Sequence, residues 1–593
     1  MPLIEKKAPP REIYIERLAE RTKLLKTFDR RQANLGALRL LIFLVAAAIL
    51  WYTHWYWIGV PVALFIILVW LQARAERNAE CTRRAIRFYE RGIARLDHRW
   101  QTDPAENGQR FTDPHHPCAA DLDLFGRASL FQLLSTARTR GGEERLANWL
   151  KSAAPVATLR ARHEAINELR PLLDLRESLA ILGDDVAAGT NSAQLIHWAS
   201  APPRTFPTWK RFTAPVLAAG ALAALVWFLT DNPDARIALI AIGLIEAALA
   251  VPLRTGVLDI VTAVEEPAHD LDLFARILAT LETQQFRSPL LATLRQSLDT
   301  EHRPASARIA QLRKLIEMLE SRENPIVRAL GPIVLWTTQL AMAIEAWRAE
   351  NGPYIAAWLN AVSEIEALSA LASYAWEHPA DPFPEFREDA TIFEGEDMGH
   401  PLLHEDRCVR NTVRLYDPLR LLIVSGSNMS GKSTLLRTIG VNATLALAGA
   451  PVRAKRLTLS PLSLGASIQT TDSLEDGQSR FMAEILRLKQ ILELPQPALF
   501  LLDELLGGTN SHDRAVGSEG LIRALLARGA IGLVTTHDLS LARVAEDLAP
   551  GAANVHFEDR LEDGRLVFDY TMREGIVTRS NALDLMRAVG LDV

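Results

Sequence analysis

Between Leu40 and Leu71 the chain carries no Asp, Glu, Lys or Arg, and Thr53 and His54 are its only clearly polar side chains. As one helix these 32 residues would reach about 48 Å, too long for a hydrocarbon core of roughly 30 Å. The pattern predicts two crossings that turn at Tyr52-Thr53-His54-Trp55-Tyr56-Trp57, an aromatic cluster suited to a membrane interface. A second apolar pair runs from Phe212 to Thr230 and from Ile237 to Leu253, joined by Asp231-Asn232-Pro233-Asp234. Arg30, Arg31 and Arg39 precede the first pair, and Arg74, Arg77, Arg83 and Arg84 follow it; Lys210, Arg211 and Arg254 flank the second. Positive charge gathers on the cytoplasmic side, so both turns are expected outside and every large segment inside. The competing reading is core helices of a soluble domain. It weighs more for the second pair, where Glu246 interrupts the fourth apolar segment. A single intramembrane carboxylate without a partner reads as a contact to protein rather than as a transport path.

Elsewhere the pattern is helical until about residue 390. Residues 1–36 are basic, with Tyr14, Leu18, Leu25 and Phe28 forming an apolar stripe for a membrane surface or for the protein itself. Residues 74–205 and 257–385 are rich in Ala, Leu, Arg and Glu and are expected to form one helical core interrupted by the second apolar hairpin. From about 390 the texture changes. The short runs Leu421 to Ser425, Ala498 to Leu502 and Ile531 to Thr535 alternate with helical stretches, which predicts an α/β layer with a parallel sheet. The expected organisation is therefore a basic helix (1–36), a transmembrane hairpin (37–73), a first core part (74–205), a second hairpin (206–256), a second core part (257–385) and a C-terminal α/β domain (386–593).

Composition narrows this picture. With 49% hydrophobic and 23% charged residues the chain of 593 is not a disordered one. A mean hydropathy of +0.05 is high for a soluble enzyme and low for a polytopic transporter. The net charge of −6 gives no global basic footprint, so any nucleic-acid contact must come from a local patch. Cys81, Cys118 and Cys408 lie far apart, which argues against a disulfide scaffold or a zinc site and fits a reducing compartment. The first apolar run starts too late and runs too long for a signal peptide.

The chemistry begins where the first predicted strand ends. Gly426-Ser427-Asn428-Met429-Ser430-Gly431-Lys432-Ser433-Thr434 follows it directly and leads into a helix, which is G-x-x-x-x-G-K-[ST] in the context that motif requires. Backbone N–H groups there close around phosphate oxygens at a helix N-terminus. Lys432 is expected to reach the β- and γ-phosphates, and Ser433 to ligate Mg²⁺. The strand Ala498 to Leu502 ends in Asp503, suited to the magnesium shell, and Glu504, suited to polarising the attacking water. A third strand ends at His537, placed to contact the γ-phosphate or the water. ATP and Mg²⁺ are the expected cofactors, with Glu504, His537 and Lys432 as catalytic residues. No other small-molecule substrate is evident.

Together these residues resemble the MutS family of DNA mismatch-repair ATPases, a branch of the ABC-type ATPases. The family's GPNMGGKST is GSNMSGKST here, retaining Asn428-Met429. Its S-T-F-M-x-E is similar to Ser479-Arg480-Phe481-Met482-Ala483-Glu484, and its DEIGRGTSTYDG to the DELLGGTNSHDR that starts at Asp503. Asn554-Val555-His556, Asp569-Tyr570, Glu574-Gly575-Ile576 and a final helix up to Leu591 are similar to the family's end, and Gly399-His400-Pro401 to the segment before its P-loop strand. Resemblance is strong over about 390–593 and fainter at Asp121 to Gly126 and Gly141 to Leu150. It implies an ABC-type fold for the C-terminal domain and a homodimer with composite ATP sites, in which Ser479 of one subunit faces the γ-phosphate held by Lys432 of the other. It also implies adenine packing near Cys408 and Val409. DNA binding, including mismatched DNA in DNA mismatch repair, is the family's activity.

The departures shape the expectation as much. The family's mismatch-reading domain with its Phe-x-Glu wedge and its C-terminal helix-turn-helix are expected to be missing, and the second hairpin is expected where its levers and clamp belong. Arg138, Arg140, Arg145, Lys151, Arg160 and Arg162 could line a phosphate track, although Glu143, Glu144 and Glu164 interleave with them. The expected protein is a membrane-anchored MutS-like ATPase, multi-pass in the inner membrane through four helices, with its core and ATPase domains in the cytoplasm and DNA as a candidate partner. Alternatives are a membrane-coupled ATPase without DNA binding and, less favoured, an ABC transporter, which Leu474-Glu475-Asp476-Gly477-Gln478 faintly echoes.

Overall fold

The computed structural model describes the chain except residues 1–7, 53–58, 103–106, 183–191, 203, 205, 230–232, 266–270, 301–302, 428, 469–479, 508, 538, 563–564 and 578–593. It divides into two compact units. One comprises Met1–Thr136, Glu144–Leu173 and Ala367–Val593, the other Ala137–Glu143 and Asp174–Glu366. Segments 74–205 and 257–385 are thus each shared between the units.

In the first unit, the basic N-terminal stretch and the first apolar stretch are one helix, Pro10–Tyr52. Pro10 stands at its start, where a missing N–H costs nothing, and no other proline interrupts its 43 residues. At about 1.5 Å per residue it extends about 64 Å. It packs along the helix Gly59–Leu96. Near the basic ends Tyr14 is fully buried between Phe88 and Tyr89, its ring against Gly92, where a Cβ would come within 2.5 Å of Tyr14 Cε2. Tyr14 Oη donates to Glu377 Oε1 at 3.1 Å, and Arg95 forks onto the same carboxylate at 2.8 and 2.5 Å. The apolar ends differ: Leu40, Phe43, Trp51, Val60, Ile66 and Trp70 are all more than half exposed.

The second unit contains the helices Thr208–Phe228 and Pro233–Ala250, which pack on each other and expose Phe212, Val216, Ile237, Ile240 and Leu244. Five described helices are long and apolar enough to cross a membrane by length and composition. Four coincide with the predicted segments. The fifth, Trp336–Glu377, has 78% of its apolar window buried and serves as a core helix. Within the second unit Arg348 of this helix pairs with Glu345 at 2.8 Å, and Asn351 with Arg308 at 2.5 Å. The two-residue strands β1 (Asp299–Thr300) and β2 (Arg303–Pro304) close a small hairpin there.

The C-terminal part of the first unit is the predicted α/β layer. A small sheet joins β3 (Glu385–Phe386), β4 (Phe393–Met398), β5 (Asn411–Leu415) and β7 (Arg456–Leu459) in the order β3-β7-β4-β5. The larger sheet contains β6 (Leu421–Ser425), β8 (Ser463–Ser467), β9 (Ala498–Leu502), β10 (Ile531–Thr536), β11 (Ala552–Glu562) and β12 (Arg565–Glu574), in the order β12-β11-β6-β10-β9-β8. All its pairs are parallel except β11–β12. Every residue of β6, β9 and β10 is buried, which explains why these strands read as unbroken apolar runs rather than alternations. Residues 113–126 dock on this sheet: the Asp121 carboxylate accepts from Ile468 N–H at 2.7 Å, and the Pro117 carbonyl from Ala466 N–H at 2.8 Å.

Candidate nucleotide-binding site

Parallel register brings the carboxyl ends of three neighbouring strands together. Ser425 at the end of β6 pairs with Thr536 of β10, and Val534 of β10 with Leu502 of β9. The P-loop, the two acids and His537 therefore leave the sheet side by side, at the edge where ligands of α/β sheets gather.

The loop after β6 turns through Gly426 (φ +149°) and Gly431 (φ +107°) into the helix Lys432–Ala448. Both angles lie where side chains are strained, and a Cβ on Gly426 would also press on the Phe557 carbonyl at 3.1 Å. Lys432 Nζ donates to the Gly426 and Ser427 carbonyls at 2.9 and 2.8 Å. Burial pulls the Lys432 ammonium below its ordinary pKa, against the opposing pull of Glu504 and Asp503. Ser430 is buried and Met429 is exposed, while Asn428 lies outside the described residues. Thr434 follows Ser433 in the first turn of the helix and accepts from Thr438 through its carbonyl.

Ser433 Oγ donates to Asp503 Oδ2 at 2.6 Å. A hydroxyl and a carboxylate brought together beside a P-loop fit Mg²⁺, which takes one or two protein oxygens and completes its shell with phosphate and water. The other Asp503 oxygen accepts from Thr535 Oγ1, which in turn accepts from Glu504 N–H at 3.1 Å. Thr535 thus fixes both acids. Sequence reasoning passed over it, because a threonine inside a β-branched strand is ordinary and its role depends on the register of the neighbouring strand.

Glu504 stands in a left-handed conformation (φ +48°), and its Oε1 lies 2.5 Å from His537 Nε2. His537 Nδ1 lies 3.0 Å from the Gly426 carbonyl, which can only accept, so Nδ1 carries a proton. The imidazole therefore bridges the P-loop and the second acid. A cavity of about 680 Å³ opens beside them, lined by Glu504, Gly507, Arg514, Thr536, His537 and Leu541. Arg514 holds the carbonyls of Leu506, Gly507 and Thr509, and Glu484 accepts from Leu506 N–H at 2.6 Å, so the loop after the acids is tied down from two sides.

Ser479 falls outside the described residues; the helix it precedes runs Arg480–Leu492. Val409 is 41% exposed and lies two residues before β5. Asn411 in β5 donates to the Tyr570 carbonyl and accepts from Met572 N–H, and the Tyr570 ring abuts Gly431, so the Val409 segment is joined to the P-loop through β12. Arg162 corrects the proposed phosphate track. It is buried, with its guanidinium over the Trp149 ring and donating to the Ala448 carbonyl, and cannot meet a DNA backbone.

A glycine loop capping a helix at the end of one parallel strand, with two carboxylates and a histidine at the ends of its neighbours, defines a P-loop nucleotide-hydrolase domain. Comparison with known proteins narrows the class. Residues 422–592 match the family MutS domain V. The chain is 31% identical over 278 residues to DNA mismatch repair protein MutS 2 of Halobacterium salinarum, covering 46% of this chain and 32% of that protein. It is 35% identical over 194 residues to Endonuclease MutS2 of Thermus thermophilus, covering 32% of this chain and 25% of that protein. The α/β domain is thus similar to MutS domain V, and the chain is similar to MutS-type proteins over part of its length. It spans about a third and a quarter of the lengths of these two relatives.

Proposed function

We propose that this chain is a membrane-anchored ATPase that binds and hydrolyses ATP as a homodimer and couples that cycle to DNA. The observation that carries the ATPase reading is the junction of Lys432, Ser433, Asp503, Glu504 and His537 at three adjacent strand ends. Lys432 and the P-loop N–H groups bind the phosphates. Ser433 and Asp503 would hold Mg²⁺, which when bound would supply positive charge against that developing on the phosphoryl group. Glu504 orients a water and draws off its proton, while His537 fixes the direction of that carboxylate. Ser479 of the partner subunit would close the site over the γ-phosphate, a role that rests on the family resemblance.

Membrane anchoring is supported by the exposed apolar surfaces of the two helix pairs and by the basic residues beside them. DNA as ligand is supported by the relatives' names alone. A membrane-coupled ATPase without DNA is the second reading. It is favoured by the tie between Arg95, at the root of the first helix pair, and Glu377, just ahead of the α/β domain.

Steady-state ATPase of the detergent-purified chain, alone and with homoduplex, mismatched and branched DNA, separates the two. Turnover changed by any DNA, with the change lost at high salt, supports the DNA reading. Turnover indifferent to all three moves the conclusion to membrane coupling. A Lys432→Ala chain that still binds ATP would refute the site itself.

A further inference from the structure

Within the second unit, the first turns of the helix Thr208–Phe228 and the last turns of the helix Pro233–Ala250 flank a cavity of about 620 Å³ that has no part in the nucleotide site. Trp209, Phe212 and Val216 on the first helix and Ile245 on the second form its walls, and all four are more than half exposed. Leu249 lies deeper, buried with Ala214, Leu335 and Met342. Ala248 is an exposed part of the lining and adds little bulk to it. Lys210 is the one charged residue of this lining among the described residues. Its ammonium lies 5.5 Å from the centre of the Trp209 ring, within reach of a cation–π contact.

The packing of the two helices sets the height of Lys210. A Cβ on Gly220 would lie 3.7 Å from Ile242 Cδ1, so these two residues stand opposite each other in the hairpin. Equal rise along both helices from there brings Lys210 opposite Pro252, close to the level of Arg254. Lys210, Arg211 and Arg254 therefore gather at one end of the pair, and the apolar walls run from that end toward the turn at the other. Among the described residues none of the three has a carboxylate partner, and Asp259, five residues beyond Arg254, is paired with Arg204 at 2.6 Å. An exposed apolar groove with uncompensated cations at one end suits an amphipathic anion, its charge at the cationic end and its hydrocarbon along the walls. A bilayer-anchored phospholipid has this order, with the phosphate at the headgroup level and the acyl chains running toward the bilayer centre. A second copy of the chain in a two-fold pair would instead bring the same cations to the same level.

We propose that this cavity is a binding site for an anionic phospholipid of the inner leaflet, with one acyl chain along Phe212, Val216 and Ile245 and the phosphate at Lys210. The volume lies within the range of small-ligand cavities. The exposed Trp209 ring suits the headgroup boundary, where an indole meets hydrocarbon on one side and polar groups on the other. Arg211 and Arg254, at the same end of the pair, attract a headgroup of net negative charge. A zwitterionic headgroup gains less, because its own ammonium offsets the phosphate. The proposal rests on the membrane reading above.

The test uses the full chain. Membranes of cells expressing it are first washed with carbonate; release of the chain would overturn the membrane reading and this proposal with it. If the chain stays, native mass spectrometry of the purified protein scores retention of phosphatidylglycerol and phosphatidylcholine with the same acyl chains, and of oleic acid. Phosphatidylglycerol should be retained about fivefold more than phosphatidylcholine, the factor equivalent to about 1 kcal/mol. Lys210→Gln should reduce that preference below about twofold. Ala248→Phe places a ring in the cavity from an exposed position, and should remove the bound phospholipid while leaving every charge in place. Equal retention of the two phospholipids in the parent overturns the charge contact without any variant. So does a preference that stays above about twofold in Lys210→Gln. Unchanged retention in Ala248→Phe would mean that the lipid sits elsewhere on the helix pair and overturns the cavity as its seat. Oleic acid retained above both phospholipids overturns the phospholipid. A dimer in the lipid-free parent that Ala248→Phe dissociates would assign the groove to a second copy and overturn the lipid occupant.

Discussion

Replacing Glu504 by Gln tests the chemistry of the site with the least disturbance to its structure. The Glu504 backbone N–H donates to Thr535 Oγ1, and this bond survives any side-chain change. The carboxylate meets His537 alone among the described hydrogen bonds, and the two side chains are 49% and 38% exposed, so the pair adds little to folding. Gln has the same reach and can still meet the imidazole. What it cannot do is take a proton. A positioned general base is worth about 10²- to 10⁴-fold, or about 2.7–5.5 kcal/mol of barrier, and kcat should fall by that factor. ATP affinity should stay within about threefold, because the P-loop contacts of Lys432 and Ser433 do not pass through Glu504. The assay pairs steady-state turnover with equilibrium binding of a fluorescent ATP analogue, in detergent and at fixed Mg²⁺. His537→Ala and the double variant complete a cycle. If His537 acts by aiming Glu504, the double variant should be no slower than Glu504→Gln alone. Normal turnover in Glu504→Gln would refute the assigned role. Additive losses in the double variant would refute the positioning role of His537.

Three further perturbations read other parts of the chain. Thr535→Val removes the hydroxyl shared by Asp503 and the Glu504 backbone, and should lower kcat about tenfold while raising the Mg²⁺ concentration needed for half activity, read from a Mg²⁺ titration. Gly440→Ala would drive a methyl to 2.4 Å from Leu122 Cδ2 and 2.9 Å from Leu501 Cδ1, and should cost about 1–3 kcal/mol of stability by denaturant titration. Burial holds the Glu366 carboxyl protonated up to about 7, despite bonds from Thr139 and the Arg138 N–H. The unfolded chain gives up that proton from about 4.5, so stability should fall as pH rises from about 4.5 to about 7, by up to about 3 kcal/mol, and level off above. Glu366→Gln should flatten that part of the melting-temperature profile.

How much of this could be read from the chain differs from element to element. The P-loop was legible because its geometry demands particular residues: positive φ at positions 426 and 431 leaves glycine, and phosphate chemistry fixes Lys432 and Ser433. The acids were legible as the charged end of a fully apolar strand. Thr535, Arg514 and Glu484 were not, since each works through a neighbour far away in sequence. The helix Trp336–Glu377 escaped notice as an apolar segment because Glu345, Arg348 and Asn351 break its hydropathy. Only the fold reveals that these groups are paired with one another and with Arg308. Residues 113–126 fit no helical period and were absorbed into a helical block. Their docking on the sheet depends on backbone groups such as the Pro117 carbonyl, which leave no trace in composition.

The contact between Arg95, Tyr14 and Glu377 carries the sharpest consequence of the first unit's packing. The Glu377 side chain is fully buried and Arg95 is 9% exposed, so neither charge has water to fall back on. Removing one partner from such a pair costs about 3–5 kcal/mol, because the other stays buried and uncompensated, whereas replacing both by apolar residues is often neutral. Glu377→Ala should therefore destabilise the first unit by that amount and remove the bond from Tyr14 Oη to Glu377 Oε1. Glu377→Leu combined with Arg95→Met should recover most of the loss. Both are read by denaturant titration of tryptophan fluorescence, with limited proteolysis between the helix Gly59–Leu96 and the start of β3 as an independent measure. A single variant within about 1 kcal/mol of the parent would mean that water reaches Arg95. The long helix pair would then be only loosely joined to the residues that lead into the nucleotide domain. Full recovery in the double variant would show that the join is made by shape and burial, so that movement of the ATPase domain has a stiff path into the apolar ends of both helices.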